Sequence, residues 1–94
     1  MIMILGFRHR GPRRLYRVDD RCGLNAEHVP RITTILARLD VATQPEDMDV
    51  AGLRLRALKG DLVGFWNVTV RANWRNIFRF EDGNAIDVDY LDYH

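Results

Sequence analysis

The sequence predicts an α+β protein: a small antiparallel β-sheet with two N-terminal helices packed on one of its faces. Two observations predict this fold. Apolar residues recur at helical spacing in the first half of the chain, and after Gly52 they alternate with polar residues as they do in strands. Short turns separate the strand-like stretches, which favours a meander. The 94 residues suffice for one domain, 1–94, with a modest core.

The first half predicts one strand and two helices. Met1–Phe7 is apolar and compatible with a first strand, and Pro12 suits the first turn of a short helix running toward Cys22-Gly23. The second helix carries one apolar stripe, made of Val29, Ile32, Ile35, Leu36 and Leu39. Its start is open, because Asn25 is a good N-cap whereas Pro30 favours a later beginning. Residues 41–52 are predicted to form a loop.

The second half predicts an antiparallel meander. Residues 53–58 form an imperfect strand, and the strands that follow separate two sets of side chains. In the first stretch, Trp66, Val68 and Val70 face one way, opposite Phe65, Asn67 and Thr69. In the next, Trp74, Asn76, Phe78 and Phe80 share one face, with Arg75, Ile77 and Arg79 on the other. A hairpin turn is expected at residues 81–84, with Gly83 or Asn84 at positive φ, before a last strand through Ile86, Val88 and Tyr90.

Charge is distributed unevenly, although the net charge is only +1. Residues 8–31 carry seven arginines against three acids, and residues 54–79 carry six basic residues against Asp61 alone. Residues 81–94 hold five acids and no Lys or Arg. A basic middle beside an acidic end indicates either an anion-binding face or charges that neutralise each other on the sheet.

Localisation is predicted from the single cysteine and from the N-terminal segment. Cys22 has no second cysteine with which to form an internal disulfide, so a reducing cytosol is the simplest compartment. The first seven residues lack the features of a signal peptide, and no stretch is long enough to span a bilayer. We therefore expect a cytoplasmic protein with no membrane partner.

Several chemically capable residues fall at strand ends or turns, where catalytic groups tend to sit. They are Lys59, Asn73, Arg75, Asp92, Tyr93 and His94. Cleaving RNA without a metal requires a base for the 2′-OH, cations for the phosphate and an acid for the leaving 5′-oxygen. Arg75 suits the phosphate because its guanidinium can bind two oxygens, and Lys59 offers a second cation. Asp92 and His94 can exchange protons, and Tyr93 can stack on a base or donate a hydrogen bond.

The remaining arginines of the basic middle are candidates for RNA binding: Arg54, Arg56, Arg71 and Arg79. Each candidate also has a plainer interpretation. An exposed arginine on a strand is usually a solvated charge, a terminal histidine is often untethered, and Trp66 and Trp74 suit the core better than base stacking. His9, His28 and Cys22 could be metal ligands, but their spacing supports no site, so we predict none.

Four segments carry a resemblance to a known family: "FRHRGPRRLY" at 7–16, "LARLDVA" at 36–42, "LRLRALKGDLVGFWNVTV" at 53–70 and "NWRNIFRFEDGNAIDVDYLDYH" at 73–94. With these segments the chain resembles the HigB toxins of type II toxin–antitoxin systems, a branch of the RelE-like superfamily. The motifs "LKG", "NWR" and terminal "DYH" occur in the family's order. The resemblance implies a sheet backed by two N-terminal helices.

It also implies an mRNA endonuclease that acts in the ribosomal A site without a metal or other cofactor. The implied partners are the ribosome, the mRNA and a HigA-like helix-turn-helix antitoxin, which would mediate any contact with operator DNA. By position, the family's site residues fall on Lys59, Asn73, Arg75, Asp92, Tyr93 and His94.

One departure concerns "LHPLKG", in which many members have an active-site histidine where this chain has Arg56. Arginine can hold a phosphate but cannot shuttle a proton near neutral pH. The alternative function is therefore a catalytically weak protein that binds the ribosome or serves mainly as co-repressor with its antitoxin.

Overall fold

The computed structural model describes residues 4–18, 20 and 23–92, and it confirms the predicted α+β fold. Two helices, α1 (Arg10–Val18) and α2 (Val29–Val41), precede a sheet of four strands. The strands are β1 (Arg56–Ala57), β2 (Trp66–Arg71), β3 (Trp74–Glu81) and β4 (Asn84–Asp92). They are antiparallel and lie side by side in chain order, as a meander requires.

The start of α2 combines the two alternatives that the sequence left open. The Asn25 side chain accepts a hydrogen bond from the Glu27 N–H at 3.0 Å and caps a short 3₁₀ turn, Ala26–His28. The α-helix begins directly after this turn, with Pro30 in its first turn, where a missing N–H has no cost. The predicted apolar stripe of α2 is buried along its whole length.

Helix α1 ends earlier than the sequence suggested, at Val18 rather than near Gly23, and Cys22 lies outside the described residues. At its start, the His9 Nδ1 accepts the Gly11 N–H at 2.8 Å, so an imidazole satisfies one of the unpaired donors of the first turn. The predicted loop 41–52 contains one further 3₁₀ turn, Pro45–Met48, whose methionine is fully buried.

The predicted first strand is not a regular strand in the described part of the chain. Residues 1–3 lie outside the described residues, and Phe7 forms a single parallel bridge with Val88. Backbone hydrogen bonds still attach this segment to β4: the Leu5 N–H donates to Ala85 O at 2.9 Å, and the Arg8 N–H to Val88 O at 2.7 Å. The segment therefore lies along the outer edge of β4.

The imperfect strand at 53–58 is reduced to the two residues of β1. Arg54 has a positive φ of 54°, a conformation that β-strands exclude. The segment nevertheless stays beside β2, because the Thr69 N–H donates to Leu53 O at 2.7 Å. In the β3–β4 hairpin the positive φ values fall on Asp82 (53°) and Gly83 (79°), as in a type I′ turn, and not on Asn84.

The helices cover the sheet face that the alternation assigned to the core. Val68, Val70, Phe78 and Val88 are buried there with the stripe of α2, and Trp66 and Trp74 pack against this cluster. Arg75, Ile77 and Asn67 lie on the opposite face, away from the cluster that packs under the helices. We call this the uncovered face, although its Ile77 and Asn67 are buried, at 1% and 6% exposure. Within the described residues, no helix combines the length and apolar character that crossing a membrane would need.

Candidate nucleic-acid interface

Strand pairing places a cluster of arginines on the uncovered face. Arg56 of β1 lies directly opposite Asn67 of β2, and Thr69 of β2 lies opposite Arg75 of β3. Directly paired residues of antiparallel strands present their side chains on one face, a few ångströms apart. Three strands thus contribute polar groups to a single patch.

These side chains enclose a groove of about 340 Å³, lined by Arg54, Arg56, Asn67, Thr69 and Arg75. We call it the arginine groove. Arg54 reaches it from a left-handed backbone position two residues before β1. Three guanidiniums around one small groove repel one another unless an anion lies between them, so the groove is suited to a phosphate.

Arg75 is held in this groove by the turn between β2 and β3. Its Nη1 donates to two backbone carbonyls, Ala72 O and Trp74 O, the latter at 3.0 Å. Ala72 stands at a positive φ of 52°, and this backbone position sets the direction of its carbonyl. Because Nη1 alone makes these bonds, the Nε and Nη2 donors remain available for two oxygens of a phosphate.

Three of the predicted site residues, Asn73, Arg75 and Asp92, lie at the end of the sheet that holds the β2–β3 turn. Asn73 is exposed in the β2–β3 turn, next to Trp74, and Trp74 pairs with Asp92 at the end of β4. The residues do not share one face, however. Asp92 lies on the helix-covered side with Trp74 and Tyr90, whereas Arg75 lies on the uncovered side. Tyr93 and His94 lie outside the described residues.

Lys59 is exposed in the loop after β1, in extended conformation before the 3₁₀ turn Gly60–Leu62. The glycine that follows it has a positive φ of 68°, a backbone conformation that favours glycine at position 60. Lys59 is not among the side chains that line the arginine groove.

Two of the arginines predicted to bind RNA have carboxylate partners. Arg71 Nη1 lies 3.1 Å from Glu27 Oε2, and Arg79 Nε lies 2.7 Å from Asp87 Oδ2. The first pair is largely solvent-exposed, so it holds Arg71 only weakly. The guanidiniums of Arg79 and Arg8 also lie 5.9 Å and 5.8 Å from the centre of the Phe65 ring.

On the helix-covered side, a buried histidine anchors the last strand. His28 Nδ1 and the Tyr90 hydroxyl share a hydrogen bond of 2.6 Å, and the Trp74 ring stacks on Tyr90 at 4.6 Å. Burial raises the pKa of Tyr90, and the charge of Asp92 raises it further against an opposing backbone hydrogen bond at Asn25. His9 packs edge-on against the same ring.

The two histidines weighed as metal ligands therefore make other contacts, and Cys22 lies outside the described residues. Nowhere in residues 4–18, 20 and 23–92 do three or more side chains of His, Cys, Asp or Glu come together as metal ligands would.

Sequence reasoning missed the two neutral residues of the groove, Asn67 and Thr69. Their alternation with Trp66, Val68 and Val70 assigned them to the uncovered face, but nothing in the sequence indicated that arginines from three strands would surround them. The gathering of these arginines depends on the register of strand pairing, which could not be read from the sequence alone.

The fold of this chain is shared with a solved toxin structure. A solved structure, described as a YoeB/ParE toxin from Agrobacterium tumefaciens, superposes with a TM-score of 0.60. The superposition covers 98% of this chain and 99% of that one at 22% sequence identity, and at that identity it shows the fold alone.

Sequence comparison narrows the class to one family. The family model described as "RelE-like toxin of type II toxin-antitoxin system HigB" matches residues 5–94. A relative named Endoribonuclease HigB, from Proteus vulgaris, is 40% identical over 92 residues, which span 98% of this chain and 100% of that protein. The chain belongs to the HigB-like toxins of type II toxin–antitoxin systems, and membership implies an antitoxin as its partner.

Proposed function

We propose that this toxin is a metal-independent endoribonuclease that cleaves mRNA in the ribosomal A site and so stops translation in the cytoplasm. The arginine groove is the observation that carries the proposal. It gathers three guanidiniums on an uncovered sheet face, with Arg75 oriented by backbone carbonyls. The relative named Endoribonuclease HigB supports the reaction type.

In the proposed reaction, a base removes the proton of a ribose 2′-OH and the oxygen attacks the adjacent phosphorus. The new O–P bond closes a 2′,3′-cyclic phosphate while the P–O5′ bond breaks, and an acid protonates the leaving 5′-oxygen. Arg75 binds the phosphate oxygens as negative charge develops on them, and Lys59 supplies a second cation from its loop. Arg54 and Arg56 bind the RNA backbone beside the cut, and Arg71 and Arg79 extend that contact.

Proton transfer falls to the end of the chain in this proposal. Asp92 and His94 divide the roles of base and acid, and Asn73 and Tyr93 orient the substrate. The end of β4 supports this arrangement because Asp92 pairs with the residue that precedes Arg75.

The ribosome orients the message in this proposal. A groove of about 340 Å³ has room for about one nucleotide, so it offers little surface to hold free RNA. Fixing the message in the A site could therefore account for several kcal/mol of the barrier, as orientation does in general. The antitoxin partner would be a HigA-like helix-turn-helix protein, and the toxin would meet operator DNA only through it.

The test is cleavage of a defined mRNA, free or bound to ribosomes, by purified toxin in a buffer whose Mg²⁺ keeps the ribosomes assembled. We expect many cuts per toxin molecule on ribosomes, upstream fragments that end in a 2′,3′-cyclic phosphate, and little cleavage of free RNA. Equal rates on both substrates would argue against ribosome dependence, and fragments that end in a 3′-hydroxyl would argue against attack by the 2′-OH.

A second candidate function is supported by the position of Arg56. This arginine lines the groove where many relatives have a histidine, so the groove has one proton-transfer group fewer. The protein would then bind the ribosome stoichiometrically or act as co-repressor with its antitoxin. Translation arrest at one toxin per ribosome, with the mRNA intact, would support this function over catalysis.

A further inference from the structure

The floor of the arginine groove consists of two neutral polar side chains. Asn67 lies opposite Arg56, and Thr69 lies opposite Arg75, so each is placed between cations of the neighbouring strands. A groove that held only phosphate would use the amide N–H of Asn67 alone, because the amide oxygen is an acceptor and cannot bind an anion. Phosphate contacts carry no information about the sequence of an RNA.

The amide of Asn67 is unused within the protein. The residue is only 6% exposed, yet its side chain makes no hydrogen bond within the part of the chain that the structure describes. Among the described residues, Asn76 Oδ1 is the one solvent-inaccessible side-chain polar atom without a hydrogen-bond partner. The amide atoms of Asn67 also have no partner, so they must be in contact with solvent. Since Asn67 lines the groove, its opening is the groove itself.

The chemistry of these two groups fits the edge of a nucleobase. An amide presents an acceptor and a donor side by side, and a threonine hydroxyl can serve as either. Proteins recognise single-stranded RNA through hydrogen bonds to the edges of unstacked bases. A volume of about 340 Å³ is near the lower end of the ~300–1,000 Å³ typical of small-molecule sites, which suits one nucleotide better than a duplex.

We propose that Asn67, assisted by Thr69, is a specificity-determining residue that reads the edge of one unstacked base beside the phosphate held by Arg75. This inference rests on the proposed endoribonuclease function. The arginines bind every sequence alike, and the amide selects the positions at which cleavage is fast.

The experiment uses the full chain with programmed ribosomes carrying a message that is randomised over the A-site codon, and it sequences the cut ends. Asn67→Ser removes the amide without adding charge, and it should flatten the preference at one nucleotide position by at least about tenfold. Asn67→Asp replaces the donor by a second acceptor, so it should shift the preference toward guanine, whose edge offers two N–H donors. Thr69→Val should weaken the same preference to a smaller extent.

Asn84→Ala is the matched control, because it removes an amide at the start of β4, opposite Glu81 and away from the groove. It should leave the distribution of cut sites unchanged. Circular dichroism checks the fold of each variant, and the near-isosteric Asn67→Asp and Thr69→Val changes keep the test possible if Asn67→Ser fails to fold. An unchanged distribution in the folded Asn67 variants, or an equal slowing at every site, would overturn the inference.

Arg75→Ala separates this failure from failure of the proposed function. If Arg75→Ala stops cleavage while the Asn67 variants keep the parental distribution, the groove is the site and Asn67 does not read bases. If Arg75→Ala cleaves normally, the arginine groove is not the cleavage site, and the proposal that Arg75 binds the phosphate is wrong.

Discussion

At the scale of the residue, Arg75 shows how a backbone turn can orient a charged side chain before substrate arrives. The guanidinium donates through Nη1 to the carbonyls of Ala72 and Trp74, so part of its conformational entropy is lost on folding rather than on binding. A side chain ordered in advance binds an anion with a smaller entropic cost. Arg75 is therefore partly ordered before any anion binds.

Replacing this residue should abolish the proposed cleavage while preserving the fold. For Arg75→Ala we expect a rate on ribosomes lower by a factor of about 100 to 1,000, the loss typical of a missing oxyanion donor. Arg75→Lys should recover only part of the rate, because the ammonium cannot offer two coplanar N–H donors. Single-turnover cleavage of one defined message measures both effects.

Arg38→Ala, an exposed arginine at the end of α2, controls for the loss of one positive charge and should cleave at the parental rate. Equal losses in Arg38→Ala and Arg75→Ala would indicate that net charge alone matters. Parental activity in Arg75→Ala would remove this residue from the mechanism.

A substitution at Arg56 is expected to increase the rate of the proposed cleavage. Its guanidinium stays protonated at every physiological pH, whereas an imidazole titrates near neutrality. We expect Arg56→His to raise the rate of cleavage near pH 7 and to add an inflection to the pH–rate profile between about pH 5 and 8.

Arg56→Gln, which removes the charge without adding a titrating group, is the matched control and should show no new inflection. A profile of Arg56→His that parallels the profile of Arg56→Gln would mean that this position takes no part in proton transfer.

At the scale of the element, β4 is fixed to the helical layer by a buried polar contact. The His28–Tyr90 hydrogen bond joins the turn before α2 to the strand that leads to Asp92. His28 is only 4% exposed, so the nitrogen that loses its partner cannot readily turn to water. This contact stabilises the sheet end at which the candidate site residues lie.

Tyr90→Phe should therefore lower the free energy of unfolding by about 1–3 kcal/mol, the cost of a buried unsatisfied group. A double-mutant cycle with His28→Phe, followed by urea unfolding, isolates the hydrogen bond from the loss of packing. If the costs of the two single variants simply add, the hydrogen bond contributes nothing and the rings act by packing alone.

The elements also show what the sequence could predict and what it could not. Alternation assigned the side chains of β2 and β3 to their faces correctly, because period-two patterns are local. The shortness of β1 was beyond local reasoning, since Arg54 adopts a positive φ in a segment that is held to β2 from a distance.

The candidate site was predictable in part for the same reason. Arg54, Arg56 and Arg75 could be named as candidates from their charge, but their meeting in one groove depends on the pairing of three strands. Asp92 illustrates the opposite case. Its place at a strand end suggested a site shared with Arg75, but the pairing with Trp74 puts Asp92 on the helix-covered side.

At the scale of the whole molecule, two tyrosines make stability sensitive to alkaline pH. Burial raises the pKa of both Tyr16 and Tyr90 above the ordinary value of 10.0, and a hydrogen bond to Asp40 adds to the effect at Tyr16. Above pH 10 the unfolded chain loses these protons first. It then binds fewer protons than the folded chain, so the free energy of unfolding falls as pH rises.

We therefore expect the contribution of these tyrosines to be fully present below about pH 10 and to disappear as pH rises through their folded-state pKa values. Urea unfolding at pH 8, 9, 10 and 11 measures it. Tyr16→Phe should reduce the decline between pH 9 and 11. If the free energy of unfolding falls as steeply in Tyr16→Phe as in the parent, Tyr16 does not cause the decline.

The attachment of the N-terminal segment to β4 has a consequence for solubility. Exposed strand edges recruit other chains and lead to fibrous aggregates, and proteins avoid this by covering or shortening them. Here the segment around Phe7 hydrogen bonds along one margin of the sheet, and at the other margin β1 has only two residues. Neither margin presents a long template for strand addition. Without its antitoxin, the toxin can thus remain dispersed instead of being inactivated by its own self-association.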